Sequence, residues 1–184
     1  MIKLKLSKLE KNLGLKLRKN VMCLGVDLAT VTGICFIETK LSTIIETYRF
    51  QVPEVENPKE NVATILESLM WLAQDLEQKI KTYKNPYKIL VIEKCYIGKN
   101  AHTALILSAF AGIIFANIYQ HFEEIYFIPP TTSRKNIRLT ISPKMPRKER
   151  KEKVMEFVSN IIGKKIDNDD EADAFVYAIN GLIQ

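Results

Sequence analysis

Four acidic side chains in this sequence have the types and spacing to cut a phosphodiester. Two short apolar runs each end directly on an acid: Val21-Met22-Cys23-Leu24-Gly25-Val26 on Asp27, and Lys88-Ile89-Leu90-Val91-Ile92 on Glu93. An acid beside an apolar strand is expensive to bury unless it is paired or bound to a metal. Near the other end, Asp167-Asn168-Asp169-Asp170-Glu171-Ala172-Asp173 opens a helical stretch. Asp170 and Asp173 are three apart, hence neighbours on one helical face. Hydrolysis by two metal ions needs such convergence, because hard cations take oxygen ligands and clamp the attacking and leaving oxygens. A plainer account also exists for the last cluster. Acids in a first helical turn suit the helix dipole, and Asn168 with Glu171 has the form of an N-terminal cap.

These acids need elements to hold them. The pattern predicts strands over 21–27, 33–38, 43–51, 88–92 and 125–128. Helical spacing covers 57–83, about 101–121, 147–162 and 169–183, while the polar, proline-containing 131–150 reads as a loop. The order is three strands, then helix, strand, helix, strand, helix, helix. That is a mixed α/β domain over 21–184, with an antiparallel meander first and crossover units afterwards. Acids at the carboxyl ends of adjacent strands would meet at one edge of such a sheet.

Composition narrows the classes. The chain has 184 residues, enough for one domain with a core of its own. Its three cysteines, Cys23, Cys35 and Cys95, are far apart and fit neither a zinc site nor a disulfide scaffold. The formal charge is +6. Residues 1–20 carry Lys3, Lys5, Lys8, Lys11, Lys16, Arg18 and Lys19 against Glu10, so this basic arm accounts for the excess. It reads either as a surface for a polyanion, adding phosphate contacts, or as a solvated tail. It lacks the features of a secretory signal, its composition leaves a transit peptide open, and the default expectation is a cytoplasmic protein. From Asn100 to Phe122 there is no Asp, Glu, Lys or Arg, a length that could cross a bilayer. Its polar residues and its small ones, Ala104, Ala109, Ala111, Gly112 and Ala116, fit better a buried or dimer-forming helix. His102 and His121 sit in no ligand pattern.

Four stretches resemble the RuvC-type Holliday junction resolvases of the ribonuclease H-like superfamily. They are Leu24-Gly25-Val26-Asp27 with Thr32-Gly33; Ile92-Glu93 with Tyr96, Lys99-Asn100 and Ala104-Leu105; Lys151 with Val154 and Val158; and Asp170-Glu171-Ala172-Asp173-Ala174 with Ala178-Ile179. The resemblance is collinear over about 21–183. It implies a ribonuclease H-like fold with a mixed five-stranded sheet, three antiparallel strands first, and helices on both faces. It implies that Asp27, Glu93, Asp170 and Asp173 ligate two Mg²⁺ ions, which Mn²⁺ can replace. Tyr96 would stack at the branch point, with Lys99 and Asn100 beside it. Arg134, Lys135, Lys148 and Lys151 would meet phosphates, and Lys151 would also stabilise charge on the cleaved phosphate. The partners implied are a four-way DNA junction and a second copy, joined through the helix at about 101–119.

The sequence departs from the family in having Leu28-Ala29 after the first Asp, a short turn to Gly33, an unaligned stretch at 131–146, and the basic arm. Three readings stand beside a resolvase. One is the same core acting on another branched DNA, an RNA–DNA hybrid or structured RNA. Another is a non-catalytic nucleic-acid-binding module. An actin-like or sugar-kinase-like ATPase would need a duplicated domain and a phosphate-cradling glycine cluster, and the seven glycines form none.

Overall fold

A computed structural model describes residues 1–29, 31–40, 42–51, 62–94, 101–142 and 144–184. In chain order the elements are β1 (Ile2–Lys5), α1 (Leu6–Leu13), β2 (Val21–Asp27), β3 (Val31–Glu38), β4 (Ser42–Gln51), α2 (Val62–Thr82), β5 (Tyr87–Glu93), α3 (Ala101–Ile118), β6 (Glu124–Ile128), α4 (Pro130–Asn136), α5 (Arg147–Ile162) and α6 (Asp169–Leu182).

The sheet has the order β1-β4-β3-β2-β5-β6. β2, β3 and β4 form the antiparallel meander, and β5 and β6 add parallel to β2. Six strands rather than five is a correction. The extra one, β1, comes from the basic segment, which pairs Ile2 with Ile45 and Lys5 with Ser42 at the sheet edge. A second correction falls at 131–150: Pro130 opens a helix, α4, where its missing N–H costs nothing and its ring presets φ. The helix predicted from 57 is described only from Val62.

β2 is buried along nearly its whole length, as expected of a central strand covered on both faces. Met22, Leu24 and Val26 face Leu72, Leu76 and Ile80 of α2 and Ile114 and Ile118 of α3. Cys23 points the other way, into a core built by α5 and α6 with Val154, Val158, Phe175 and Ile179. Leu6, Leu9 and Leu13 of α1 join that same core. Their spacing along one helical face is what drives α1 down onto α5, where Asn12 also donates to the Ile161 carbonyl at 2.6 Å. Arg18 ties the end of the segment to Glu124 of β6 at 2.7 Å.

α6 lies unusually close to the sheet, and two glycines permit it. A Cβ at Gly25 would stand 2.2 Å from the Ala174 carbonyl oxygen, and one at Gly33 would stand 1.9 Å from that of Asp170. Gly33 is thus a strand residue serving close approach rather than a turn residue. Because Gly33 pairs directly with Asp27, the start of α6 is seated over the end of β2.

Among the described residues no helix is long and apolar enough to cross a membrane.

Candidate active site

Asp27 ends β2 and Glu93 ends β5, two parallel neighbours, so both carboxylates emerge at the same sheet edge. This is where crevices form in α/β sheets. The first turn of α6 crosses above them. Asp27, Glu93, Asp170 and Asp173 together line a cleft of about 460 Å³, whose rim includes Arg134, Arg147, Arg150 and Lys151.

The acidic cluster at 167–173 divides its labour. Asn168 caps α6 by accepting from the Glu171 backbone N–H at 2.9 Å, as the sequence suggests. The Glu171 carboxylate does not return the bond, but accepts from Thr47 Oγ1 of β4 at 2.6 Å and so fastens α6 to the sheet. Asp167 pairs with Lys165, and Asp169 with Lys151. Asp170 and Asp173 are left to face the cleft. The cap account thus holds at Asn168, and it leaves Asp170 and Asp173 unaccounted for.

Charge is crowded in this cleft. Burial pushes the Asp27 carboxyl well above the usual carboxylate range, helped by its hydrogen bond with Glu93 and by the charges of Asp173, Glu93 and Asp170. Burial likewise raises Glu93, which the hydrogen bond from Asp27 partly offsets. Asp170 is raised by burial and by Asp173, against the pull of Lys151. Asp27 and Glu93 thus form a hydrogen-bonded pair of carboxyls, both raised first by burial.

Asp173 is answered differently. Arg134 Nη2 donates to both of its oxygens, at 2.8 and 3.0 Å. Burial works against the Arg134 charge, yet the attraction of Asp173 and their hydrogen bond more than compensate and raise its pKa. Among the described residues no three His, Cys, Asp or Glu side chains stand close enough together, as they are, to hold a metal ion. A guanidinium, that of Arg134, occupies one member of the set, Asp173.

The donor set nonetheless suits a hard divalent cation. It is all carboxylate oxygen, it comes from three separate elements, and three of its four acids are held above their ordinary range by burial and by one another.

The structure thus brings Asp27, Glu93, Asp170, Asp173, Arg134 and Lys151 to one cleft. Lys135 lies in an adjoining cavity, and Lys148 points into solvent on the outer face of α5, near Glu152. Tyr96, Lys99 and Asn100 lie outside the described residues. Sequence reasoning missed Arg147 and Arg150, hidden inside a charged helical run, and Tyr177. The last is buried one turn beyond Asp173 and also lines the cleft. Burial and the field of Glu93, Asp27 and Asp173 push its phenol far up, so it stays a neutral donor. Its spacing of four from Asp173 was the available signal.

Two solved structures resemble this fold. The chain aligns with Thermus thermophilus RuvC in complex with a Holliday junction substrate at a TM-score of 0.63 and 13% identity, over 86% of this chain and 90% of that one. A second Thermus thermophilus RuvC structure aligns at 0.61 and 13% identity, over 88% and 98%. No curated protein sequence matches the chain. At this identity the two structures speak for the ribonuclease H-like fold. The family model for the crossover junction endodeoxyribonuclease RuvC matches residues 23–181, a span that contains every acid of the cleft, and the chain therefore belongs to the RuvC family.

Proposed function

We propose that this protein resolves four-way DNA junctions by metal-dependent hydrolysis, nicking strands in pairs as a homodimer. One observation carries the reading: Asp27 and Glu93, at the ends of parallel neighbours, share a cleft with Asp170 and Asp173 of α6 beneath a rim of cations. Asp27, Glu93, Asp170 and Asp173 would hold two Mg²⁺ or Mn²⁺ ions. When bound, such ions activate a water and balance charge on the cleaved phosphate.

The chain's own residues do the rest. Arg134, Arg147, Arg150 and Lys151 draw a phosphate backbone into the cleft and give binding a salt dependence. Lys151, held by Asp169 beside the carboxylates, offers a positive charge to the phosphoryl oxygens on which negative charge develops. Tyr177 closes the floor and, staying neutral, contributes a hydroxyl without adding to the negative field. The glycines at 25 and 33 keep α6 seated, so the two carboxylates of α6 stay in register with those of the sheet.

α3 supports the second copy. It carries no charged residue, and Ser108, Ala109, Gly112 and Ala116 form an exposed stripe of small side chains. Space around Gly112 is open enough that an added Cβ would meet nothing within 4 Å. Small residues let two helices approach closely. Pairing through α3 would present two clefts to the two strands of one junction.

The test is cleavage of a labelled four-way junction with Mg²⁺, against linear duplex and RNA–DNA hybrid, with the molar mass measured by sedimentation. Symmetric nicks in the junction alone, from a dimer, are expected. Preferred cleavage of the hybrid would keep the carboxylate chemistry and overturn the substrate. Binding without any metal-dependent cleavage would overturn the catalytic reading.

A further inference from the structure

Beside the carboxylate cleft lies a second cavity, of about 370 Å³, to which the proposed function assigns no occupant. It runs between α4, the chain that leaves α4, and the first turn of α5. Arg134, Lys135, Arg138 and Arg150 line it with Thr131 and Ser142, and among the described residues no carboxylate does. Arg134 and Arg150 also line the cleft, so the two cavities share a wall of guanidinium groups.

Three features single it out. First, of these four cations only Arg134 has an acidic partner among the described residues. Second, the Nε atoms of Arg134 and Arg150 are buried and have no hydrogen-bond acceptor among the described residues. A buried charged donor left without a partner is costly, and an anion is the natural acceptor. Third, the backbone at Arg138 is left-handed, with φ 62°. Its N–H bonds to the Lys135 carbonyl, and the N–H of Leu139 reaches back to that of Arg134, closing α4. Glycine is the ordinary residue at such a helix ending. Gly14 and Gly163 fill the corresponding left-handed positions after α1 and α5. At α4 an arginine sits there despite the strain.

We infer that this cavity is a phosphate-binding subsite, which takes a backbone phosphate of the bound strand next to the one in the cleft, with Arg138 and Arg150 as its main ligands. The inference rests on the nuclease reading of the cleft, and it extends that reading by giving the strand a direction across the surface. From the cleft the strand crosses the Arg134–Arg150 wall toward α4 and the end of α1, where a side chain at Gly14 would come within 3.4 Å of Arg138 Nη1.

Arg138→Gly tests this, because glycine suits the backbone there and the variant should fold at least as well as the native protein. Junction affinity is measured over a range of salt, without cleavage, in Ca²⁺. We expect binding about tenfold weaker. The slope of log affinity against log salt should fall by about one, with the melting temperature unchanged or higher. Arg150→Gln should act in the same direction. An unchanged slope with a lowered melting temperature would mean that Arg138 only braces the end of α1, and would overturn the subsite. Arginine Nε resonances give a second readout. They should shift with a short single-stranded oligonucleotide. A shift with inorganic phosphate but not with the oligonucleotide would make this a free-phosphate site and overturn the strand assignment. If Arg138→Gly binds as the native protein does while the native protein still cuts junctions, the subsite fails and the resolvase reading stands. If the native protein binds no junction, both fail.

Discussion

The carboxylate cleft and the N-terminal segment are the two places where this sequence concentrates charge of one sign, and the fold treats them in opposite ways. In the cleft, Asp27, Glu93 and Asp170 are held partly out of water and next to one another, so that each resists ionising. In the segment, Lys3, Lys5, Lys8, Lys11, Lys16 and Lys19 all point into solvent, and the leucines between them do the packing. The difference teaches where to look for chemistry. Charge that is held against its own repulsion marks a candidate ligand site. Charge that is free to hydrate does not, and a run of lysines can accompany an edge strand simply because such edges need protection from further pairing.

The largest effect expected from this contrast comes at Asp27. Asp27→Asn removes a charge that burial and three neighbouring acids disfavour. Junction cleavage should fall by at least about 10³-fold, because charge stabilisation by bound metal is worth several kcal/mol. In chelator, the same variant should melt at or above the native temperature, as measured by calorimetry. A lower melting temperature with retained cleavage would break the contrast.

Leu9 marks the opposite case. It is fully buried in α1, so Leu9→Ala should cost about 2–5 kcal/mol. Each kcal/mol corresponds to a melting-temperature drop of about 2–4 °C in a domain of this size. The salt slope of DNA binding in the protein that remains folded should not change. Removing residues 1–20 altogether would be a poor test of DNA contacts, because it deletes β1 and part of the core.

A third prediction concerns pH. Carboxyls whose folded pKa is raised bind protons more readily in the native state than in the unfolded one. The stability they allow is complete below the ordinary carboxylate range, near 4, and is lost as pH rises through their folded values. Metal-free protein should therefore lose stability as pH is raised from that range toward neutrality, and Asp27→Asn should flatten the loss. Melting curves across this range in chelator would check it. Added Mg²⁺ should restore stability at neutral pH in the native protein through binding linkage.

The smallest effect is expected from Lys3→Gln combined with Lys8→Gln. Both lysines are exposed and unpaired among the described residues. If they only hydrate the edge, junction affinity at physiological salt should change less than about twofold. A salt slope lowered by about two would show instead that the edge carries DNA, and would remove the distinction between the two regions.

Much of the fold was legible because its central elements are strongly patterned. β2 and β5 are unbroken apolar runs, and α6 announces itself with Asn168 and the acids that follow. The four cleft acids were legible for the same reason, each placed by the end of a patterned element. What was not legible depended on distant partners. β1 is four residues of alternating Lys and Leu or Ile, which become a strand only by pairing with β4. α4 is a short polar helix that holds its place through the Asn180 side chain bonded to the Ser133 carbonyl and through Arg134 on Asp173. Arg150 and Lys148 are two residues apart on α5, yet one lines the cleft and the other faces water. A charged helical run does not reveal that phase until its apolar side is known to seat on α6.

The central claim is that Asp27, Glu93, Asp170 and Asp173 act together as one cation-binding, strand-cutting site. The most direct measurement is cleavage of a labelled four-way junction in Mg²⁺ by the native protein and by Asp170→Asn, with junction binding measured in parallel. The account predicts paired nicks from the native protein, none from the variant, and junction binding by both. Nicking by Asp170→Asn at the native rate would contradict it.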